Sequence, residues 1–177
     1  MTVMKRISCL NVHRAGLLML FVVTGWLTTI SSAATIIVVR HAERVTAMTA
    51  DALLSPAGEE RARILSQMLK DSGIRRIYVT EVRRVQQTAE PTAAKLHLKP
   101  VVIPQKDVDE LVKQLKGLGE DETVLVVGHT NTVPVIIERL GATVPPLSDT
   151  EYDRMLVVTT GPGKTRVLTL RYGNITQ

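Results

Sequence analysis

Between residues 35 and 171 the chain alternates short apolar, β-branched runs with longer segments whose apolar residues recur at helical spacing. The first run, Thr35-Ile36-Ile37-Val38-Val39, ends abruptly in Arg40-His41-Ala42-Glu43-Arg44, as expected of a buried strand that delivers polar side chains to its carboxyl end. Leu54-Ser55-Pro56-Ala57-Gly58-Glu59-Glu60 predicts a helix start, with Ser55 as N-cap, Pro56 at the first helical position and two carboxylates in the first turn. Ala62, Leu65, Met68 and Leu69 give this helix an apolar stripe to about Lys70. Arg61, Arg63 and Lys70 are expected to stay solvated, and Asp71-Ser72-Gly73 supplies the stop. A short strand centred on Ile77-Tyr78-Val79-Thr80 passes into Glu81-Val82-Arg83-Arg84-Val85-Gln86-Gln87-Thr88-Ala89, where the period becomes helical. Pro91 either begins the regular part of that helix or kinks it.

Val101-Val102-Ile103 is a third strand candidate, and Val108, Leu111, Val112, Leu115 and Leu118 form a helical stripe opened by Asp107 and closed by Gly119. Thr123-Val124-Leu125-Val126-Val127-Gly128-His129 repeats the opening logic, an apolar strand ending in a histidine, before a helix from about Val133 to Leu140. Met155 to Thr160 and Thr165 to Arg171 form a hairpin about Gly161-Pro162-Gly163-Lys164. That glycine cluster is a turn: it lacks the spacing and the Ser or Thr of a phosphate-binding P-loop. Alternating strands and helices predict an α/β fold, a three-layer sandwich with a mainly parallel central sheet flanked by helices and an antiparallel margin near the C-terminus. Such sheets place ligand sites beyond the carboxyl ends of their strands. Arg40-His41, Glu81 to Arg84 and His129 each fall at such an end.

The first 34 residues read differently. Lys5, Arg6 and Arg14 form a positive segment, Ala15 to Ile30 is uncharged, and Ser31-Ser32-Ala33-Ala34 offers small residues for cleavage. This is the order of a signal peptide, cleaved after Ala34 or one residue earlier, and it predicts a periplasmic or secreted protein with residues 35–177 as its single domain. A retained anchor is disfavoured because Thr24, Gly25, Thr28 and Thr29 interrupt the apolar stretch, which is shorter than the roughly 20 residues of a spanning helix. The formal charge of +5 shrinks once the leader is set aside, leaving 19 basic against 17 acidic residues. With no long basic run remaining, a nucleic-acid partner is not expected. Cys9 is the one cysteine and lies in the leader, so the remaining chain holds neither a thiolate nucleophile nor a cysteine metal site.

The polar strand ends suit phosphoryl chemistry. Guanidinium groups meet phosphoryl oxygens with paired, charge-assisted hydrogen bonds, and Arg40, Arg44 and Arg84 can form that clamp. A neutral His41 can attack phosphorus with one ring nitrogen while a backbone carbonyl holds the other, giving a phosphohistidine intermediate. His129 can donate to the oxygens that gather charge in the transition state. Taken singly, any of these residues is most often a surface or capping side chain; three coincident strand ends are what argue for catalysis. His97 is expected to face solvent, and Arg83 water or an acidic neighbour. His41 and His129 have no carboxylate or cysteine companions at metal spacing, so neither metal nor cofactor is expected.

Arg40-His41-Ala42-Glu43, Leu54-Ser55-Pro56-Ala57-Gly58, Thr80 to Ala89 and Val127-Gly128-His129, in this order, resemble the successive motifs of the histidine phosphatase superfamily, the phosphoglycerate-mutase-like fold. The resemblance spans essentially all of residues 35–177. It implies His41 as the phosphorylated nucleophile, with Arg40, Arg84 and His129 completing the phosphate pocket; Arg44 matches the second arginine of the acid-phosphatase branch. Ala42 stands where the family usually has glycine. The proton donor is the larger departure, because Thr130 occupies the position of the acid-phosphatase aspartate. The mutase-like branch draws its acid from a later segment, where Asp109 and Glu110 are the candidates, unless they belong to the polar face of their helix; Glu43 and Glu81 also lie near the site in sequence. The implied substrate is a phosphorylated small molecule or envelope component, with a phosphohistidine or anhydride as an alternative that needs the acid less. A non-catalytic phosphate-binding protein is the reading from another class.

Overall fold

The computed structural model describes residues 33–46 and 51–176, so the leader reading concerns residues that lie almost wholly outside it. The described chain runs β1 (Ala34–Arg40), α1 (Pro56–Met68), β2 (Ile74–Val79), α2 (Arg83–Leu96), β3 (Val101–Val102), α3 (Val108–Lys116), β4 (Thr123–Gly128), α4 (Thr132–Arg139), β5 (Arg154–Thr160) and β6 (Arg166–Arg171). The six strands form one sheet in the order β3-β2-β4-β1-β5-β6. β3, β2, β4 and β1 pair in parallel, whereas β5 and β6 add the antiparallel margin that the C-terminal hairpin predicts.

Alternation along the central strands builds the three layers even where every residue is buried. Ile36 and Val38 of β1, with Val124 and Val126 of β4, pack on one face beneath α3 and α4 through Leu111, Leu115, Val133, Ile136 and Ile137. Ile37, Val39, Leu125 and Val127 face the other way, against Leu65 of α1 and Val85, Ala89 and Ala93 of α2. The chain leaves β1 for β2 and β3 with its helices on one face and returns to β4 with α3 on the other. The direction of winding therefore reverses between β1 and β4, which opens a crevice at their carboxyl ends.

Two local expectations are corrected. Pro91 does not start the regular part of its helix, which runs continuously from Arg83 to Leu96 with Pro91 inside it. Proline there forgoes a bond to the carbonyl of Gln87, and packing of Val85, Thr88, Ala89, Thr92 and Ala93 against the core holds the segment helical regardless. Arg61 is not solvated: it is 3% exposed, because Glu43 neutralises it and the carbonyls of Tyr172 and Asn174 accept its remaining donors. Smaller shifts concern ends. α1 finishes at Met68 and α3 at Lys116, short of Lys70 and Leu118, while His97 closes α2 in the left-handed conformation at φ 55°. His97 is exposed, as expected, and Gly73 adopts φ 70°.

Candidate active site

Three strand ends converge on the crevice. β1 delivers Arg40 and His41, the β2–α2 junction delivers Thr80, Glu81 and Arg84, and β4 delivers His129. The His41 backbone N–H donates to the carbonyl of Gly128 at 2.9 Å, continuing the β1–β4 ladder one residue past the strand and bringing the two histidine loops together. Their ring centroids lie 5.5 Å apart at 69°.

The tautomer of His41 follows from its contacts. Nδ1 lies 2.8 Å from the carbonyl oxygen of Ala42, an acceptor only, so Nδ1 carries the proton. Nε2 then has its lone pair available and accepts from Nε of Arg84 at 3.1 Å. Burial, reinforced by Arg40, Arg84 and His129 nearby, lowers the His41 pKa to about 3, although the Ala42 carbonyl opposes this. His129 is lowered to about 4, again first by burial and then by Arg84 and Arg40. Both rings are therefore neutral at ordinary pH, the state a nitrogen nucleophile requires. His129 Nε2 sits 3.1 Å from the Thr80 hydroxyl, and its backbone N–H donates to Thr132 Oγ1 at 2.9 Å.

The arginines act on one another as well as on the histidines. Burial lowers the pKa of Arg40 and of Arg84; Arg44 lowers both further, and Arg40 also acts on Arg84. Three guanidinium groups with two neutral imidazoles make a pocket whose field favours an anion carrying more than one charge. The structure thus gathers Arg40, His41, Arg44, Arg84 and His129. Arg83 points outward, its backbone N–H donating to Asp51 Oδ1 at 2.9 Å, so it has the acidic neighbour anticipated.

The proposed proton donors separate. Asp109 is exposed and ion-paired with Arg139 at the far end of α4, and Glu110 bonds Gln114 and Lys113 on the outer face of α3. Both belong to the ordinary polar face of their helix. Glu43 is chelated by Arg61 through Nε and Nη2. Glu81 differs from the other three: its charge raises the proton affinity of His129, while its carboxylate accepts from the backbone N–H of Gln105 at 2.8 Å.

Several supporting residues escape sequence reasoning because their partners are remote. Thr88 Oγ1 accepts from the Ala42 backbone N–H at 2.9 Å and donates to the Arg84 carbonyl at 2.7 Å, joining the loop after His41 to the helix that carries Arg84. Gln87 accepts from the Leu54 backbone N–H at 3.0 Å. Ser55 both caps α1 and contacts the Glu43 carbonyl. Arg40 donates through Nη1 to the carbonyls of Ser148, Asp149 and Glu151, and its guanidinium carbon lies 4.0 Å from the Tyr152 ring centroid. Tyr152 also stands 6.1 Å from the His41 ring. The spacing of Ser55 and Gly58 with the Gln-Thr pair was the one available signal; nothing in the sequence ties residues 148–152 to Arg40. Ala42 has an ordinary negative φ, and its methyl packs with Leu54 and Ala62, so alanine is accommodated without strain.

A neutral histidine at the carboxyl end of a central strand, ringed by arginines and faced by a second histidine, is an arrangement suited to phosphoryl chemistry. The sequence profile of the histidine phosphatase superfamily (branch 1) matches residues 36–107, the stretch from β1 to the start of α3 that carries His41 and Arg84. Solved structures share the fold. A protein histidine phosphatase SixA bound to tungstate is 22% identical with a TM-score of 0.64, the match covering 77% of this chain and 96% of that one. The alpha-ribazole phosphatase of Shigella flexneri is 15% identical, TM-score 0.65, covering 77% and 96%. A mycobacterial glucosyl-3-phosphoglycerate phosphatase is 14% identical, TM-score 0.62, covering 80% and 100%. No curated protein sequence matches the chain.

Proposed function

We propose that this protein is an exported phosphatase that hydrolyses a phosphomonoester through a phosphohistidine on His41. The observation that carries the reading is the fixed tautomer of His41, with Nδ1–H bound to Ala42 and Nε2 turned toward Arg84 among cationic neighbours. A phosphoryl group entering the crevice replaces His41 Nε2 as the acceptor for Arg84. The nitrogen lone pair then forms the N–P bond as the bond to the leaving oxygen breaks. Arg40, Arg44 and Arg84 neutralise the phosphoryl oxygens, and His129 supports those that gain charge. Water attacks the phosphohistidine in a second step, releasing phosphate and restoring neutral His41. The leader-like composition of residues 5–34 supports action outside the cytoplasm, on a phosphorylated small molecule or envelope component.

One observation favours a second reading. Asp109, Glu110 and Glu43 are engaged elsewhere, and the carboxylate of Glu81 is engaged by the backbone N–H of Gln105. A positioned acid commonly contributes roughly 10²- to 10⁴-fold when the leaving group is a poor one. Substrates with good leaving groups, such as phosphohistidine or an anhydride, need that help less.

The test compares an alkyl phosphate, an aryl phosphate and a phosphoimidazole with the purified domain, alongside His41→Ala. Turnover lost in His41→Ala with the fold intact, and a phosphorylated enzyme trapped on His41, are expected. Equal rates on alkyl and aryl phosphates favour the monoester reading, and a steep preference for aryl phosphate and phosphoimidazole favours the second. Wild-type turnover by His41→Ala overturns both, and anion binding without any turnover points to a non-catalytic phosphate-binding protein.

A further inference from the structure

We propose that Glu151 is a positioning residue for phosphate recognition, acting through the loop that aims Arg40; the inference rests on the phosphatase reading above. Arg40 spends Nη1 on three backbone carbonyls of one short segment, Ser148, Asp149 and Glu151, at 2.9–3.0 Å. Its buried Nε has no hydrogen-bond partner among the described residues. The loop therefore fixes the rotation of the guanidinium and leaves another part of it to meet an anion.

Carbonyls in a short loop can converge on a cation only if something holds the loop in that shape. Glu151 does this with both ends of the residue. Its backbone oxygen is one of the three acceptors, while its carboxylate, 6% exposed as a residue, is turned away from Arg40. There it accepts from Arg154 Nε and Nη2 at 2.8 and 2.7 Å, from Arg171 Nη1 at 2.5 Å, and from the Ser148 backbone N–H at 3.4 Å. Arg154 also donates to the Pro145 carbonyl at 2.7 Å, and Arg171 also meets Asp153. Arg154 opens β5 and Arg171 closes β6, so the antiparallel margin of the sheet anchors the loop. The next residue, Tyr152, lays its ring against Arg40. A carboxylate remote from the reacting atoms thus links the rigid hairpin to the phosphate-binding edge of Arg40.

The alternative is a buried ion pair that serves stability alone. Inorganic phosphate binding by titration calorimetry and kcat/KM on an aryl phosphate, both corrected for folded fraction, separate the two in Glu151→Gln, Arg40→Lys and the double variant. Glu151→Gln is expected to weaken phosphate binding and lower kcat/KM on the order of 10- to 100-fold, the range for misplacing a group by about 1 Å. In the Arg40→Lys background the same change has little further effect, because the lost positioning has nothing left to position. Undiminished phosphate affinity in Glu151→Gln, or a full additive loss in the double variant, overturns the proposal. Should Glu151→Gln not fold, the half-exposed Arg171→Gln takes its place in the same cycle, with a smaller weakening expected and the same refuting outcomes. A wild-type protein that neither binds phosphate nor turns over the aryl ester overturns the functional reading and this inference together. Normal wild-type behaviour with an indifferent Glu151→Gln overturns this inference alone.

Discussion

Gly58→Ala sets two effects of opposite sign against each other. Gly58 lies in the first turn of α1, where helix propensity alone favours alanine by up to about 1 kcal/mol. The structure makes the opposite prediction. A Cβ on Gly58 would overlap the carbonyl oxygen of Glu43 and stand 3.0 Å from its carbonyl carbon and nitrogen. Backbone cannot swing aside as a flexible side chain can, so ordinary contact requires a displacement of about 1 Å between α1 and the Glu43 segment. That carbonyl accepts from the Ser55 backbone N–H at 2.9 Å, and the Glu43 carboxylate is locked to Arg61. Overpacking of this kind costs about 1–3 kcal/mol, which exceeds the propensity gain. Glu43 is two residues from His41, and a 1 Å error near reacting groups can cost on the order of 100-fold in rate. Thermal unfolding and kcat/KM on an aryl phosphate, measured together, are expected to show a lower Tm and a loss of rate larger than the unfolded fraction explains. A higher Tm with unchanged kcat/KM would refute the close-approach reasoning.

Acid sensitivity follows from the histidines. Unfolded imidazoles bind protons near pH 6.5, whereas His41 and His129 resist protonation until about 3 and about 4, so the unfolded state holds more protons throughout that window. Stability is therefore fully present above pH 6.5 and declines as pH falls toward 3, by an amount on the order of several kcal/mol. Tm measured from pH 7 to 4 should fall in wild type and less steeply in His41→Ala, and a flat wild-type profile contradicts the assignment. Arg84→Ala should weaken phosphate binding and reduce kcat/KM on the order of 10²-fold, whereas exposed Arg83→Ala should leave both nearly unchanged; the reverse ranking in steady-state kinetics rejects the placement of Arg84. Dialysis against a chelator is expected to leave turnover at its starting level, since the arginines supply the positive charge that phosphoryl transfer needs, and loss restored by a divalent cation contradicts this.

Legibility tracked the range over which a signal acts. Ile36 to Val39 and Val124 to Val127 announced buried strands because their composition is local, and the three-layer sheet follows from their alternation with helical stripes. Arg40, His41, Arg84 and His129 were readable because open parallel sheets bring strand ends together, so sequence positions far apart inherit one location from the fold. Arg61 was misread because periodicity reports a side of the helix, not a partner. Its position is polar by residue type and buried by Glu43 and two tail carbonyls, one of them 113 residues away.

The same reason governs the proton donor. Asp109 and Glu110 sit in the right segment, and only their partners, Arg139 on another helix and Gln114 one turn on, decide that they face away. Arg40 carries the point furthest. Its proposed role as a phosphate ligand was suggested by an Arg-His pair at a strand end. The loop that aims it lies more than a hundred residues downstream and acts through backbone carbonyls, which every residue type possesses. Side-chain identity at Ser148 and Asp149 therefore says little about the contact, and the carboxylate of Glu151, which shapes the loop from behind, is where the dependence of anion binding on sequence should be sought.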